Sequence, residues 1–192
     1  VGGCSTGDCV PMSSSVTAYD PASDSWEGLA DYPLNVAFPS CGAVDGQLYC
    51  TGGVNEMESS AQTFAYDPAT DTWTQVADAP ATTWGSSYAA ANGMLVITGG
   101  IVDENVSNEA WGYDPAGDTW LDLPNPNTPT YRGGAACGFV RVGGDQGGFM
   151  PTDVVEHLPG LDHCGDSGTD VPWLFLSRTE ATLAPGESVT VQ

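Results

Sequence analysis

The chain has 192 residues, and 25 acidic side chains against 3 basic ones give it a formal net charge of −22. That length suffices for one domain with a sizeable core, while a surface of that sign repels phosphate backbones and argues against nucleic-acid binding. No hydrophobic run approaches the length that spans a bilayer, so membrane insertion is not expected, and the acidity suits solubility in a salty or extracellular medium.

One phrase organises the sequence. Tyr19-Asp-Pro-Ala-Ser-Asp-Ser-Trp26, Tyr66-Asp-Pro-Ala-Thr-Asp-Thr-Trp73 and Tyr113-Asp-Pro-Ala-Gly-Asp-Thr-Trp120 recur at a constant interval of 47 residues, each downstream of a Gly-Gly pair. Such a period predicts a repeat fold. Residues 1 to 29 supply only the outer part of a first unit, in which Cys4 and Cys9 close a Ser-Thr-Gly-Asp loop.

The second unit reads as four short strands: Pro39 to Ala43, Gln47 to Gly52, Thr63 to Tyr66 and Thr72 to Val76. Asp45-Gly46 is a strong two-residue hairpin turn. It sets Val44 opposite Gln47 and, counting outward, Cys41 opposite Cys50 at a non-hydrogen-bonded site, where Cα atoms lie closest and a disulfide is feasible. The third unit repeats this in register, with Asn92-Gly93 in place of Asp45-Gly46 and Ile97 in place of Cys50. Trp84 is expected to start its innermost strand, and Ser86 to Ala91 is small and polar, as a crowded ring centre requires.

A fourth unit begins with Tyr131 to Gly144 and departs from the pattern in its outer half. Aligning Pro159 with Pro21 puts His157 where Tyr19 falls, and Trp173 arrives late, after an insertion, as in a terminal capping repeat. Cys137 and Cys164 are left to pair with each other. Six cysteines with local partners predict an oxidised, secreted protein.

The pairs Gly2-Gly3, Gly52-Gly53, Gly99-Gly100 and Gly143-Gly144, followed by the Tyr and Trp positions, resemble the kelch repeat. The resemblance implies an all-β fold, a kelch-type β-propeller segment of about three to four four-stranded antiparallel blades in an incomplete ring. Residues 1–175 would be the propeller segment, with a partial first blade, two full blades and a modified capping blade. Residues 176–192 are similar to the opening strands of a truncated immunoglobulin-like module. The first Gly-Gly stands at the second residue with no initiator Met, so the chain reads as a piece of a longer polypeptide, and a signal peptide ahead of it stays open. Its open blade edges are expected to pair with missing blades of the same polypeptide or with another copy. Within the blades, the glycines allow close backbone approach, Tyr and Trp fill the wedge between blades, and Asp-Pro-Ala-x-Asp makes a tight turn.

A narrower resemblance rests on Tyr131-Arg-Gly-Gly, Cys137-Gly, Gly147 to Phe149, Leu158-Pro-Gly-x-Asp-x-Cys164, Trp173-Leu and Leu183-Ala-Pro-Gly-Glu-Ser-Val-Thr-Val. These look like the C-terminal region of large secreted bacterial subtilisin-like serine proteases. The resemblance implies an accessory propeller whose catalytic domain lies elsewhere in the parent polypeptide.

In an up-and-down blade, the turns after the first and third strands share one face and those after the second and fourth the other. The first set is short and repeated here. The second set varies: Cys4 to Ser15, Val54 to Gln62, Ile101 to Asn108 and Asp145 to Thr152, with Ala77 to Trp84 and Pro124 to Tyr131 between blades. Variable loops on a rigid scaffold are where binding residues accumulate. Trp84, Tyr131 and Arg132 at the mouths of innermost strands are the candidate ligand-binding residues, and packing between blades is the other reading of the two aromatics. Glu56, Asp103 and Glu104, with Glu58, are the loop acids best placed to face a partner.

Enzyme chemistry finds little support. Cys164-Gly-Asp-Ser-Gly168 resembles the nucleophile segment of chymotrypsin-like proteases, but the only histidines, His157 and His163, lie within ten residues of Ser167, where no such triad is built. The copper site of the galactose oxidase family does not transfer, because Cys137 is placed for a disulfide and two histidines are too few. Two histidines near Cys164 make a poor Zn²⁺ site, and no carboxylate pair for glycoside hydrolysis stands out. No metal site is assigned and no cofactor is expected, beyond weak Ca²⁺ binding by Asp166, Asp170 and nearby carbonyls. Asn105-Val-Ser107 is a glycosylation sequon on a surface loop. The sequence thus reads as a non-catalytic extracellular binding module that presents its variable loop face to a protein or polysaccharide. The alternatives are a structural repeat in a self-associating surface layer or filament, and a copper oxidase or sugar-active enzyme using the propeller mouth.

Overall fold

A computed structural model describes residues 1–4, 6 and 9–164. The expected immunoglobulin-like segment, Trp173, the Cys164-Gly-Asp-Ser-Gly168 serine and the Asp166 and Asp170 calcium candidates lie outside them.

Every described element is a strand. The first blade contributes β1 (Gly3–Cys4), β2 (Met12–Ser13), β3 (Val16–Asp20) and β4 (Ser25–Leu29). The second is β5 (Ser40–Val44), β6 (Gln47–Thr51), β7 (Thr63–Asp67) and β8 (Thr72–Val76), an antiparallel sheet in the order β5-β6-β7-β8. After it come β9 (Thr83–Trp84), β10 (Ser87–Ala91), β11 (Met94–Thr98), β12 (Ile101–Val102), β13 (Asn105–Val106), β14 (Ala110–Asp114) and β15 (Thr119–Asp122). The third blade is β10-β11-β14-β15, and β13-β12-β9 form a small separate sheet. A fourth sheet joins β16 (Gly134–Ala136), β17 (Val140–Val142) and β18 (Val155–His157).

The hairpin chemistry explains the register. Asp45 and Gly46, with φ of 49° and 78°, and Asn92 and Gly93, with φ of 52° and 73°, hold two successive positive φ angles, the twist that continues smoothly into flanking strands. Val44 therefore pairs with Gln47 and Cys41 with Cys50, whose Cα atoms are 4.1 Å apart and whose sulfurs are joined. Disulfides also join Cys4 to Cys9 and Cys137 to Cys164.

The core is distributed between blades. Val16, Tyr32 and Val36 pack on Cys50 and Phe64 across the first boundary. Val44 and Tyr49 meet Leu95, Ile97, Trp111 and Tyr113 across the second. Ala91, Val96 and Ala110 meet Phe139, Leu158 and Leu161 across the third. Each sheet thus buries its apolar face only against its neighbour, which is why one blade alone has no interior.

The repeated phrase is the fastener at these boundaries. Asp67 caps its own turn, accepting from the Ala69 N–H at 2.8 Å. Asp71 reaches further: its Oδ1 accepts the Tyr66 hydroxyl at 2.8 Å and the N–H of Ala30, in the preceding blade, at 2.7 Å. Trp73 Nε1 donates to the carbonyl of the same Ala30 at 2.9 Å. One blade later, Tyr113, Asp118 and Trp120 clasp Ala77 with the same three contacts.

Two expectations are corrected, the first in the fourth blade. Arg141 pairs with Glu156, Val140 with His157 and Val142 with Val155. By that register His157 takes the place of Gly112, and buried Leu158 the place of Tyr113, so His157 does not replace the repeat tyrosine. A leucine fills the wedge and the histidine is left exposed, 3.8 Å from Asp162. Arg141 and Glu156 stand where the other blades pair Ile97 with Trp111 and Cys50 with Phe64. The buried Arg141 lies 3.2 Å from Glu156 and donates to the Thr128 carbonyl and the Thr130 hydroxyl, while Glu156 accepts the Asn127 N–H, so the pair anchors the connection between blades. The second correction concerns Trp84. It lies in β9, paired with β12 rather than starting the innermost strand, because Gly85 turns the chain with a φ of 64° before β10 begins at Ser87.

Candidate functional site

The mouth is built by the Gly-Gly pairs. Gly53 N–H donates to the Thr83 carbonyl and Gly100 N–H to the Thr130 carbonyl, each at 2.8 Å, so each pair is bonded to the segment that enters the next blade. A Cβ on Gly52 would sit 2.2 Å from the Thr83 oxygen, and one on Gly99 2.4 Å from the Thr130 oxygen. With φ of 70° and 63° as well, no other residue fits.

Just beyond these contacts lie three equivalent positions, one repeat apart. Phe38, Gly85 and Arg132 all adopt left-handed backbone, with φ of 57°, 64° and 58°. Arg132 N–H donates to the Gly85 carbonyl at 2.6 Å, and Gly85 N–H donates to the Phe38 carbonyl at 3.2 Å. The three successive blades are thereby linked around the mouth. Glycine adopts this conformation freely, whereas Phe38 and Arg132 hold it at a cost of order 1–3 kcal/mol each.

The side chains converge. The Arg132 guanidinium carbon lies 4.4 Å from the centroid of Phe38 and 5.4 Å from those of Trp84 and Tyr131. Trp84 stands 5.8 Å from Phe38 and 5.7 Å, edge-on, from Tyr131. A cavity of about 280 Å³ opens among Phe38, Pro39, Gly85, Ser86, Tyr88, Arg132 and Gly133. Cation–π contact at a partly exposed site contributes roughly 0.5–1 kcal/mol. It holds the faces of the guanidinium and leaves its in-plane N–H groups unused, and among the described residues Arg132 has no ion pair or side-chain hydrogen bond.

The variable loops belong to the same surface. Ala37 bridges Val54, Trp84 pairs with Ile101, and Tyr131 bridges Asp145, so the loop after each second strand folds back beside the mouth. Met57 at 92% exposure, and Phe149 at 91%, stand out on two of these loops, with Met150 beside the second.

Of the residues expected to bind, Trp84, Tyr131 and Arg132 are brought together, and the acids are placed elsewhere. Glu56 accepts the Met12 N–H at 3.1 Å, and backbone N–H groups, its own and that of Met12, hold its carboxyl below the usual range. Asp103 accepts the Thr82 hydroxyl at 3.0 Å and Glu104 the Ser59 hydroxyl at 3.1 Å. All three acids tie loops to adjoining segments. Phe38 and Tyr88 were missed. Phe38 had a signal, since it stands one period before Gly85 and two before Arg132.

Among the described residues no group of three or more His, Cys, Asp or Glu is arranged to hold a metal ion. His163 is instead tied by its backbone to the Asn92 turn, through bonds of 2.9 Å in each direction, which fastens the segment after β18 onto the third blade. No described helix is long and apolar enough to cross a membrane.

The Kelch motif matches residues 36–80, the span of the second blade and its approach. No curated protein matches the chain. Among solved structures, one described as the structure of YjhT superposes with a TM-score of 0.65 at 13% sequence identity, covering 75% of this chain and 49% of that one. The chain thus spans about half the length of that neighbour, and at this identity the likeness is one of fold. Antiparallel four-stranded sheets, the motif match and the structural neighbour together identify a kelch-type β-propeller segment.

Proposed function

We propose that these residues form a non-catalytic interaction module of a larger secreted protein, binding its partner through the loop face and the mouth. The observation that carries this reading is the continuity of the Phe38, Trp84, Tyr131 and Arg132 cluster with the three folded-back loops. Rigid aromatics offer contact area at little entropic cost, and the loops around them vary where the rest of the blade repeats. Three disulfides among the described residues support an oxidising, extracellular setting. Cys137 is joined to Cys164, which speaks against the thioether crosslink of a copper oxidase.

The subtilisin-like parent rests on the sequence resemblance. It is tested by the intact mass of the native polypeptide with peptide mapping. A mass far above 19.8 kDa together with a subtilisin-like Asp, His and Ser set supports it, and a mass near that value overturns it. Binding is tested by changing Met57 and Phe149 to Ser in the full polypeptide: partner affinity should fall with the fold intact, and unchanged affinity would move the site off this face.

A further inference from the structure

We infer that the Arg132 cradle takes a single carboxylate carried on an apolar peptide segment. This deepens the reading of the loop face as a binding surface and rests on it.

The cation comes first. Arginine carries its five donors in the guanidinium plane, so rings stacked on its faces leave the donors free. Arg132 lies 4.4 Å over Phe38 with Trp84 and Tyr131 to either side, and none of its side-chain donors has a hydrogen-bonding partner among the described residues. The other described arginine, Arg141, is buried against Glu156. In a chain of net charge −22, Arg132 is therefore the exposed arginine of the described surface. Aromatic walls exclude part of the solvent, which strengthens a charge-assisted bond relative to an open surface pair.

The backbone points the same way. Gly85 shows what the left-handed position prefers, yet its two equivalents carry Phe38 and Arg132, the pair that stacks. Both partners of the contact thus hold a conformation that glycine would adopt without strain.

The occupant is limited by size and charge. A cavity of about 280 Å³ admits one side chain or one sugar ring. A chain of net charge −22 repels a ligand with many negative charges, which disfavours an acidic polysaccharide, whereas one carboxylate meets one guanidinium. Met57 and Met150, both exposed, offer flexible thioether contacts that suit apolar side chains better than a sugar face, with Phe149 beside Met150. The complement is a peptide with one Asp or Glu among apolar residues.

The test is selection of a displayed random-peptide library on the full polypeptide, followed by titration of synthetic versions of the selected peptides. Selected sequences should share one acid flanked by apolar residues, and replacing that acid by its amide should weaken binding about 10-fold or more. Arg132→Met should cause a similar loss with an unchanged near-UV spectrum, and Arg132→Lys should restore only part, because an ammonium has no flat face to stack. Peptides that lack an acid, or that bind Arg132→Met equally well, overturn the inference. So does an oligogalacturonate that displaces them at lower concentration than a capped glutamate peptide. Selected peptides that depend on Met57 and Phe149 but ignore Arg132 would sink the carboxylate and leave the binding module standing. A selection that yields no loop-face binder would sink both.

Discussion

The same eight-residue phrase stands at the edges of the first, second and third blades, with different fates. In the second and third, Tyr66 and Tyr113 are 5% and 1% exposed and the adjacent tryptophans clasp Ala30 and Ala77. In the first, Tyr19 still donates to Asp24 at 2.7 Å and stacks 5.1 Å from Trp26, but Tyr19 is 45% exposed and Trp26 69%. The phrase is thus half of a fastener. It folds its own turn unaided, and what it grips is the N–H and carbonyl of the residue that leaves the blade before it.

The sharpest way to break that contrast is to prevent the blades from meeting. Gly99→Ala drives a Cβ to 2.4 Å from the Thr130 oxygen at a φ of 63° and should cost at least about 3 kcal/mol, whereas Gly46→Ala, strained in φ but in open space, should cost only about 1. Chemical denaturation of both variants measures the difference. Equal losses would mean that backbone conformation, not contact between blades, sets the requirement.

Next is the clasp. Trp120→Phe removes the donor to the Ala77 carbonyl and part of a packed ring, an expected loss of about 1–2 kcal/mol. In these 192 residues by themselves, with nothing placed ahead of the first blade, Trp26→Phe should stay within about 0.5 kcal/mol. A Trp26 effect as large as that of Trp120 would show that the first blade's face is covered in solution.

Acid should weaken both clasps. The Asp118 carboxyl is held below its ordinary value of 3.8, first by the Ala77 N–H and then by the Tyr113 hydroxyl, and Asp71 likewise by Ala30 and Tyr66. A lowered folded-state pKa favours folding above the ordinary value, and the contribution disappears as pH falls through the folded one. Below about pH 4 the Trp73 and Trp120 environments should therefore change as these carboxylates take up protons, as read from indole resonances. At the other extreme, burial, followed by the bond to Asp71, pushes the Tyr66 phenol up to about 12. Its contribution is full below 10 and fades as pH climbs towards that value. The smallest effect needs no variant: in these 192 residues by themselves, indole N–H exchange should be slow at Trp73 and Trp120 and fast at Trp26.

Much of each blade was legible because its information is local. Asp45-Gly46 admits one hairpin geometry, so the facing of Cys41 and Cys50 followed from counting. The fourth blade resisted because its insertion removes the even spacing. Only the pairing of Arg141 with Glu156 shows that Leu158, and not His157, fills the tyrosine's place. At the mouth, Trp84, Tyr131 and Arg132 were named from their positions at strand entrances, while Phe38, one repeat before Gly85, was not. Its importance comes from Arg132, two blades away, which no local pattern connects to it.

By itself, then, the sequence determined the period, the register of the first hairpin in each full blade and the Tyr and Trp that fill the wedges, since turn sterics and hydrogen bonds between neighbours act within a few residues. Only the tertiary structure decided what those residues grip and which side chains meet. A ring of sheets brings residues one and two repeats apart to a common axis, and contact there depends on how each blade is rotated onto the last.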